Sequence, residues 1–203
     1  MIAGLIPAAG HSRRMGRPKL ALPLRGRPVL EHVVAALVEA GVAPVLVVLG
    51  PHVAELANPA RAAGAAVLLL PEATPDMRAT VERGLAWLEE AVPPGPQDDW
   101  LLVPADHPAL DAGVIRGLIA ARPQPGRSIV VPTWQGRRGH PTLIGWGHVA
   151  GMRALPAGLG LNAYLRRHTA ETLEVAVGTA DVLNDLDTPE DYERLLRSWP
   201  PGR

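Results

Sequence analysis

Residues Leu5–Lys19, LIPAAGHSRRMGRPK, decide how the rest of this chain is read. A short apolar run, Ile2 to Ile6, leads into Ala8, Ala9 and Gly10, which carry no bulk to hold a ligand off the backbone. Cations follow, among them Arg13, Arg14 and Lys19. The run has the character of a buried strand, and Gly10 and Gly16 are suited to positive φ, so backbone N–H groups in this turn can face an anion. Arg grips a phosphate through two parallel donors, whereas Lys acts as a point charge. Residue types alone leave two readings open, a polyphosphate cradle and a surface loop that is merely basic. The stretch is neither GxxxxGKS/T nor GxGxxG, which removes the P-loop and speaks against a nicotinamide oxidoreductase.

Outward from the loop, helical and strand patterns alternate. Pro28 to Ala40 carries Val29, Leu30, Val33, Val34, Leu37 and Val38 at helical spacing, with Pro28 suited to the first turn and Gly41 to the end. Pro44 to Leu49 reads as a buried parallel strand. His52 to Gly64 reads as a helix broken or shortened at Asn58-Pro59, and Ala65 to Leu70 as a third strand. This βαβαβ order predicts an α/β fold, a Rossmann-like three-layer sandwich with a mostly parallel central sheet and ligands at the carboxyl ends of its strands. The 203 residues, without internal repeats, predict one domain over 1–203.

Further on, Pro71 to Gly84 is a loop entering a helix, and Pro93 to Pro96 is a turn. Trp100 to Val103 is a fourth strand, Asp111 to Ala121 a helix with Asp111 as N-cap, and Ser128 to Pro132 a short strand. Leu161 to Arg167 is helical and Val182 to Leu186 a short strand. Thr188-Pro189 with Glu190 and Asp191 starts the last helix.

Composition narrows the chemistry. Lys plus Arg and Asp plus Glu both number 20, so no net field draws nucleic acid or an anionic membrane, and any anion site is local. There is no Cys, which excludes disulfides and thiol nucleophiles and is compatible with a reducing cytoplasmic setting. Met1 to Ile6 lacks a positive n-region and no long apolar run exists, so neither export nor membrane spanning is expected. The histidines have no zinc-ligand spacing, and no side chain presents itself as a covalent nucleophile.

Against that background Asp106, in Pro104-Ala105-Asp106-His107-Pro108, stands out. An Asp before a turn proline has a local use, but at the tip of a strand facing a phosphate cradle it is placed to hold Mg²⁺ with substrate phosphates. Arg137 and Arg138 in QGRRGHPTLI suit either a second phosphate or a solvated hairpin turn, and Arg166 and Arg167 either a cationic patch or a helix C-terminus.

These motifs, in this order, resemble those of the molybdenum-cofactor nucleotidyltransferases, part of the wider group with a nucleotide-diphospho-sugar transferase-like fold. Ala8, Ala9, Gly10, Ser12, Arg14, Met15, Gly16 and Lys19 match the signature loop, with Pro7 where a small apolar residue is usual. The resemblance implies a Mg²⁺-dependent enzyme that moves a nucleoside monophosphate from a nucleoside triphosphate to a phosphorylated acceptor. Arg14, Lys19 and Asp106 would be catalytic. Ala8, Ala9, Gly10, Ser12, Arg13, Arg14, Gly16 and Lys19 would bind nucleotide, with Met77 and Thr80 near the base. Gly139, His140 and Pro141 would line the acceptor side. Asp106 and Asp187 would hold the metal, with Asp185 in reserve, and His107 is given no role. The Ala-Ala-Gly opening leans toward CTP, and the implied acceptor is molybdopterin. AGLGLNAYLRRH, Ala157 to His168, departs from the G-D-x-G-A-R of many cytidylyltransferases. That departure keeps open a sugar-phosphate nucleotidylyltransferase, a guanylyltransferase, or a non-catalytic nucleotide-binding partner of a molybdoenzyme.

Overall fold

The computed structural model describes residues 1–12, 14–122 and 126–199. Strand β1 (Ile2–Ala8) is followed by a small hairpin, β2 (Pro23–Leu24) and β3 (Arg27–Pro28), and by helix α1 (Val29–Glu39). Then come β4 (Val45–Leu49), a 3-10 turn (Pro51–Leu56), α2 (Ala57–Ala62), β5 (Ala66–Leu69) and α3 (Met77–Ala91). The second half runs β6 (Asp99–Leu102), α4 (Ala112–Ala120), β7 (Ile129–Trp134), β8 (Arg137–Arg138) and β9 (Thr142–Gly145). It closes with α5 (His148–Arg153), α6 (Leu161–Arg167), β10 (Thr172–Ala176) and α7 (Pro189–Ser198).

The main sheet has the order β10-β7-β9-β6-β1-β4-β5, with β8 paired to β7. β1, β4, β5 and β6 are mutually parallel, and β10 runs parallel to β7. β9 is antiparallel to both of its neighbours. The pattern of β4 explains the three layers. All five of its residues are buried, with Val45, Val47 and Leu49 packing toward one face and Leu46 and Val48 toward the other. A strand that alternates every residue between two apolar faces has to be covered twice. α1 and α4 cover the first face, and α3, α5 and α6 the second. Helix α3 lies closely on its face because residue 84 is Gly. A Cβ there would collide with Leu5 and Val48.

Two expectations are corrected. The helix read over His52 to Gly64 is a 3-10 turn followed by α2, and the break falls near Val53, whose φ of −131° is non-helical. Asn58-Pro59 sits in the first turn of α2, where a missing N–H costs nothing. Val182 to Leu186 is not a strand. Ala180–Leu183 forms a 3-10 turn, capped where Thr179 Oγ1 accepts from Asp181 N at 3.2 Å. The place beside β7 is taken by β10, and the Val182 carbonyl accepts instead from His140 N at 2.8 Å. Among the described residues no helix is long and apolar enough to cross a membrane.

Candidate active site

β1 ends at Ala8, on the carboxyl edge of the parallel strands, and the chain then turns on hydrogen bonds of its own. Ser12 O accepts from Met15 N at 3.1 Å and Gly16 N at 3.2 Å, while Ser12 Oγ accepts from Lys19 N at 3.2 Å. Buried Met15 and Leu20 anchor the turn to the core. The positive φ values fall at Ser12 (50°) and Gly16 (71°), and not at Gly10 as expected. Gly10 lines the cavity, and a Cβ built on it would meet nothing within 4 Å. His52 Nε2 donates to Gly10 O at 3.1 Å, and the His52 ring stacks on His11 with centroids 4.0 Å apart. Arg13 lies outside the described residues.

Opposite this turn the chain brings in two carboxylates. Asp106 follows β6, and its carbonyl accepts from Leu186 N at 2.9 Å, which draws Asp187 alongside. Asp187 is steadied in turn by the start of α7, where Asp191 Oδ2 accepts from Asp187 N at 3.1 Å and Thr188 N at 2.8 Å. Lys19 Nζ donates to Asp106 Oδ2 at 2.5 Å and to Asp187 Oδ1 at 2.8 Å. Arg14 lies 2.6 Å from Asp187 Oδ2 with its side chain 73% exposed, whereas that of Lys19 is 15% exposed.

The charges support one another against burial. Burial works against the Lys19 ammonium, but Asp106 and Asp187 outweigh it and hold its pKa above the ordinary value. Burial likewise works against the Asp106 anion, but hydrogen bonds from His107 and Lys19 and their charges hold this carboxyl well below the usual range. Both groups stay ionised at neutral pH.

A cavity of about 480 Å³ opens onto this cluster. Ala8, Ala9, Gly10, Ser12, Arg14 and Lys19 line it from the turn, Met77 and Thr80 from α3, and Asp106 and Asp187 from below. Thr80 Oγ1 donates to Asp76 O at 3.1 Å and is bonded to Thr74 Oγ1 at 2.6 Å, so its hydroxyl fixes the start of α3. His11 and Thr74 also face the cavity. The sequence reading passed over both, because their places on the wall follow from turn geometry.

Other candidates are not brought to the wall. Gly16 shapes the turn without lining the cavity. Gly139, His140 and Pro141, expected on the acceptor side, lie outside the lining. Gly139 abuts the Val182 backbone so closely that a Cβ would collide with the Val182 carbonyl. His140 turns to His107, and burial, reinforced by His107 and opposed by Asp106, lowers its pKa to about 4. Asp185 is exposed and lines a different cavity, by Trp199. Arg138 pairs with Glu174 at 2.7 Å beside Arg137 in β8, and Arg166 and Arg167 end α6, as their solvated and helix-terminal readings had it.

Residues 4–172 match the MobA-like NTP transferase domain. The chain belongs to that family. Members of the MobA-like family bind nucleoside triphosphates and phosphorylated acceptors, and the chain is a nucleotidyltransferase by this membership. Its relatives carry several names. A nicotine blue oxidoreductase from Paenarthrobacter nicotinovorans is 26% identical over 96% of each chain. A 2-C-methyl-D-erythritol 4-phosphate cytidylyltransferase from Ralstonia nicotianae is 40% identical over 58% of this chain and 48% of its own. Among solved structures, Rv0371c of Mycobacterium tuberculosis is 27% identical over 97% of each chain, with a TM-score of 0.80. The same protein has been solved in complex with manganese, with a TM-score of 0.75 over 97% of this chain and 98% of that one.

The donor set of this MobA-like site fits a hard divalent cation. Carboxylate oxygens of Asp106 and Asp187 both bond the single nitrogen of Lys19, so both converge on one cationic centre. Among the described residues no group of three or more His, Cys, Asp or Glu side chains could hold a metal. Two carboxylates with the rest of the shell from water and substrate phosphates is the pattern of Mg²⁺ sites.

Proposed function

We propose that this chain is a Mg²⁺-dependent cytidylyltransferase that transfers CMP from CTP to the phosphate of molybdopterin. The observation that carries the reading is the position of Lys19 Nζ between Asp106 and Asp187, at the foot of a cavity walled by the Ala8–Gly10 turn. An acceptor phosphate oxygen attacks the α-phosphorus of CTP, the new P–O bond forms as the bond to the β-phosphate oxygen breaks, and pyrophosphate leaves. Such a transfer asks of a protein chiefly that it align two anions and offset the charge that develops.

The residues divide that task. Ala8, Ala9 and Gly10 let the nucleotide approach the backbone. Arg14 and Lys19 supply donors to the triphosphate and the leaving pyrophosphate. Asp106 and Asp187 hold the cation, which when bound draws electron density from the α-phosphorus. The preference for CTP rests on the Ala-Ala-Gly opening and is supported by the cytidylyltransferase among the relatives.

The test is Mg²⁺-dependent pyrophosphate release with CTP, GTP, ATP and UTP, each with molybdopterin and with a panel of sugar 1-phosphates. Release with CTP and molybdopterin is expected. Release with GTP, or with a sugar phosphate, keeps the mechanism and replaces base or acceptor. Silence with every pair, from protein that binds nucleotide, leaves a binding module. A second reading draws on the relative of matching length that is named an oxidoreductase. Loss of reduced-nicotinamide absorbance in the presence of an oxidised dye, without pyrophosphate release, would favour it.

A further inference from the structure

Behind Asp106 stands a histidine that the cavity wall does not account for. His107 is only 4% exposed, and its Nδ1 lies 3.1 Å from Asp106 Oδ1. The carboxylate is ionised and can only accept, so Nδ1–H donates. The other carboxylate oxygen, Oδ2, is the one that takes Lys19 Nζ at 2.5 Å. The two oxygens of Asp106 therefore have separate partners, Oδ1 tied to His107 in the interior and Oδ2 turned to Lys19 and the cavity.

The imidazole has little freedom to do otherwise. Its ring packs edge-on against His140, with centroids 5.2 Å apart and planes at 79°. Its carbonyl accepts from Leu110 N at 3.2 Å, and His140 is itself held where its N–H donates to Val182 O at 2.8 Å. The G-H-P segment thus supports Asp106 and Asp187 from the rear: His140 backs His107, and Gly139 and His140 seat the turn that leads to Asp187.

We infer that His107 is a positioning residue, which sets the Asp106 carboxylate so that Oδ2 is presented to the divalent cation, with His140 as its brace. This rests on the reading of Asp106 as a metal ligand. The terminal torsion of an Asp side chain is broad. One fixed donor on Oδ1 removes that freedom before the ion arrives. Outer partners of metal ligands have effects of about 10- to 100-fold on metal affinity or activity when removed.

The experiment is a Mn²⁺ titration of the full chain without nucleotide, reading free Mn²⁺ by electron paramagnetic resonance, with folding checked by thermal melts. His107→Leu is expected to weaken Mn²⁺ binding by about 10- to 100-fold. His107→Asn, whose amide nitrogen falls close to the position of Nδ1, is expected to restore binding to within a few-fold of wild type. Equal binding by wild type and the Leu variant, or equal loss in Leu and Asn variants, overturns the inference. If the Leu variant does not fold, His107→Gln takes its place, since its donor is carried one bond further out and must serve Asp106 worse than Asn does. Wild-type protein that binds no Mn²⁺ overturns this inference together with the metal reading. Wild type that binds Mn²⁺ while Gln and Asn variants match it overturns this inference alone.

Discussion

At the carboxyl edge of the sheet, Arg14, Lys19, Asp106 and Asp187 meet from three distant parts of the chain. At the amino edge, Ser128, His148, Tyr164 and Glu171 meet within one stretch. The amino-edge cluster is a relay with its protons accounted for. Tyr164 OH donates to His148 Nδ1 at 3.0 Å, His148 Nε2 donates to Ser128 Oγ at 2.6 Å, and Ser128 Oγ donates to Glu171 Oε2 at 3.3 Å. It ties β7, α5, α6 and the turn before β10 together. Both clusters line cavities, and the difference lies in charge: the carboxyl-edge one is made of two cations against two anions, each with capacity for a further partner. The lesson is that a polar cluster which satisfies itself holds a fold together, whereas one with capacity to spare is prepared for a ligand.

That contrast predicts that the two clusters fail differently. The largest effect is expected from Asp106→Ala, which should lower pyrophosphate release by about 10²- to 10³-fold or more, the scale seen when one electrostatic stabiliser is removed, while the thermal midpoint stays near wild type. Retention of metal-dependent turnover would break the comparison at its active end. Lys19→Gln should follow with a loss of about 10²-fold, because it removes the charge that lines the cavity between Asp106 and Asp187.

The amino edge should answer in stability. His148→Leu removes both partners of the relay's centre and should cost about 1–3 kcal/mol in denaturant unfolding, with steady-state kinetics unchanged. A kinetic defect without a stability defect would reverse the assignment of the two clusters.

The smallest effect expected is on pH. Burial lowers the His148 pKa from 6.5, with Glu171 opposing and His168 adding to the shift, so the unfolded chain binds the proton more readily than the folded one. The stability carried by the neutral ring is therefore complete above about pH 6.5 and declines as pH falls below it toward the folded value. Groups facing this ring are Ser128, Tyr164, His168 and Glu171. Urea melts at stepped pH should show wild type losing stability over that interval and His148→Leu losing less. Parallel curves would remove His148 as the source.

Much of the fold was legible because its signals are local. The unbroken apolar run of β4 demanded cover on both faces, Pro28 and Gly41 bracketed α1, and Thr188-Pro189 with Asp191 announced a helix start that the structure closes as a capping box. The strand expected over Val182 to Leu186 fails because two segments compete for one place. Thr172–Ala176 and Val182–Leu186 are both short and apolar enough to be strands, and β7 has one free side on which only the former pairs. His107 was passed over for a related reason. Its neighbour in sequence is Asp106, but whether their side chains meet depends on how the chain turns after β6 and on the His140 ring behind it.

The sequence by itself determined an α/β architecture, the small-residue turn with its cations, and the two acidic motifs at strand and helix ends. Each of these is written in composition and spacing over a few residues. Only the tertiary structure decided that Lys19 lies against carboxylates 87 and 168 residues away, that Asp187 and not Asp185 faces the cavity, and that the G-H-P segment stands behind the site. Those outcomes depend on which strands pair and how the loops between them close, and no local run of residues encodes the distance between two groups so far apart along the chain.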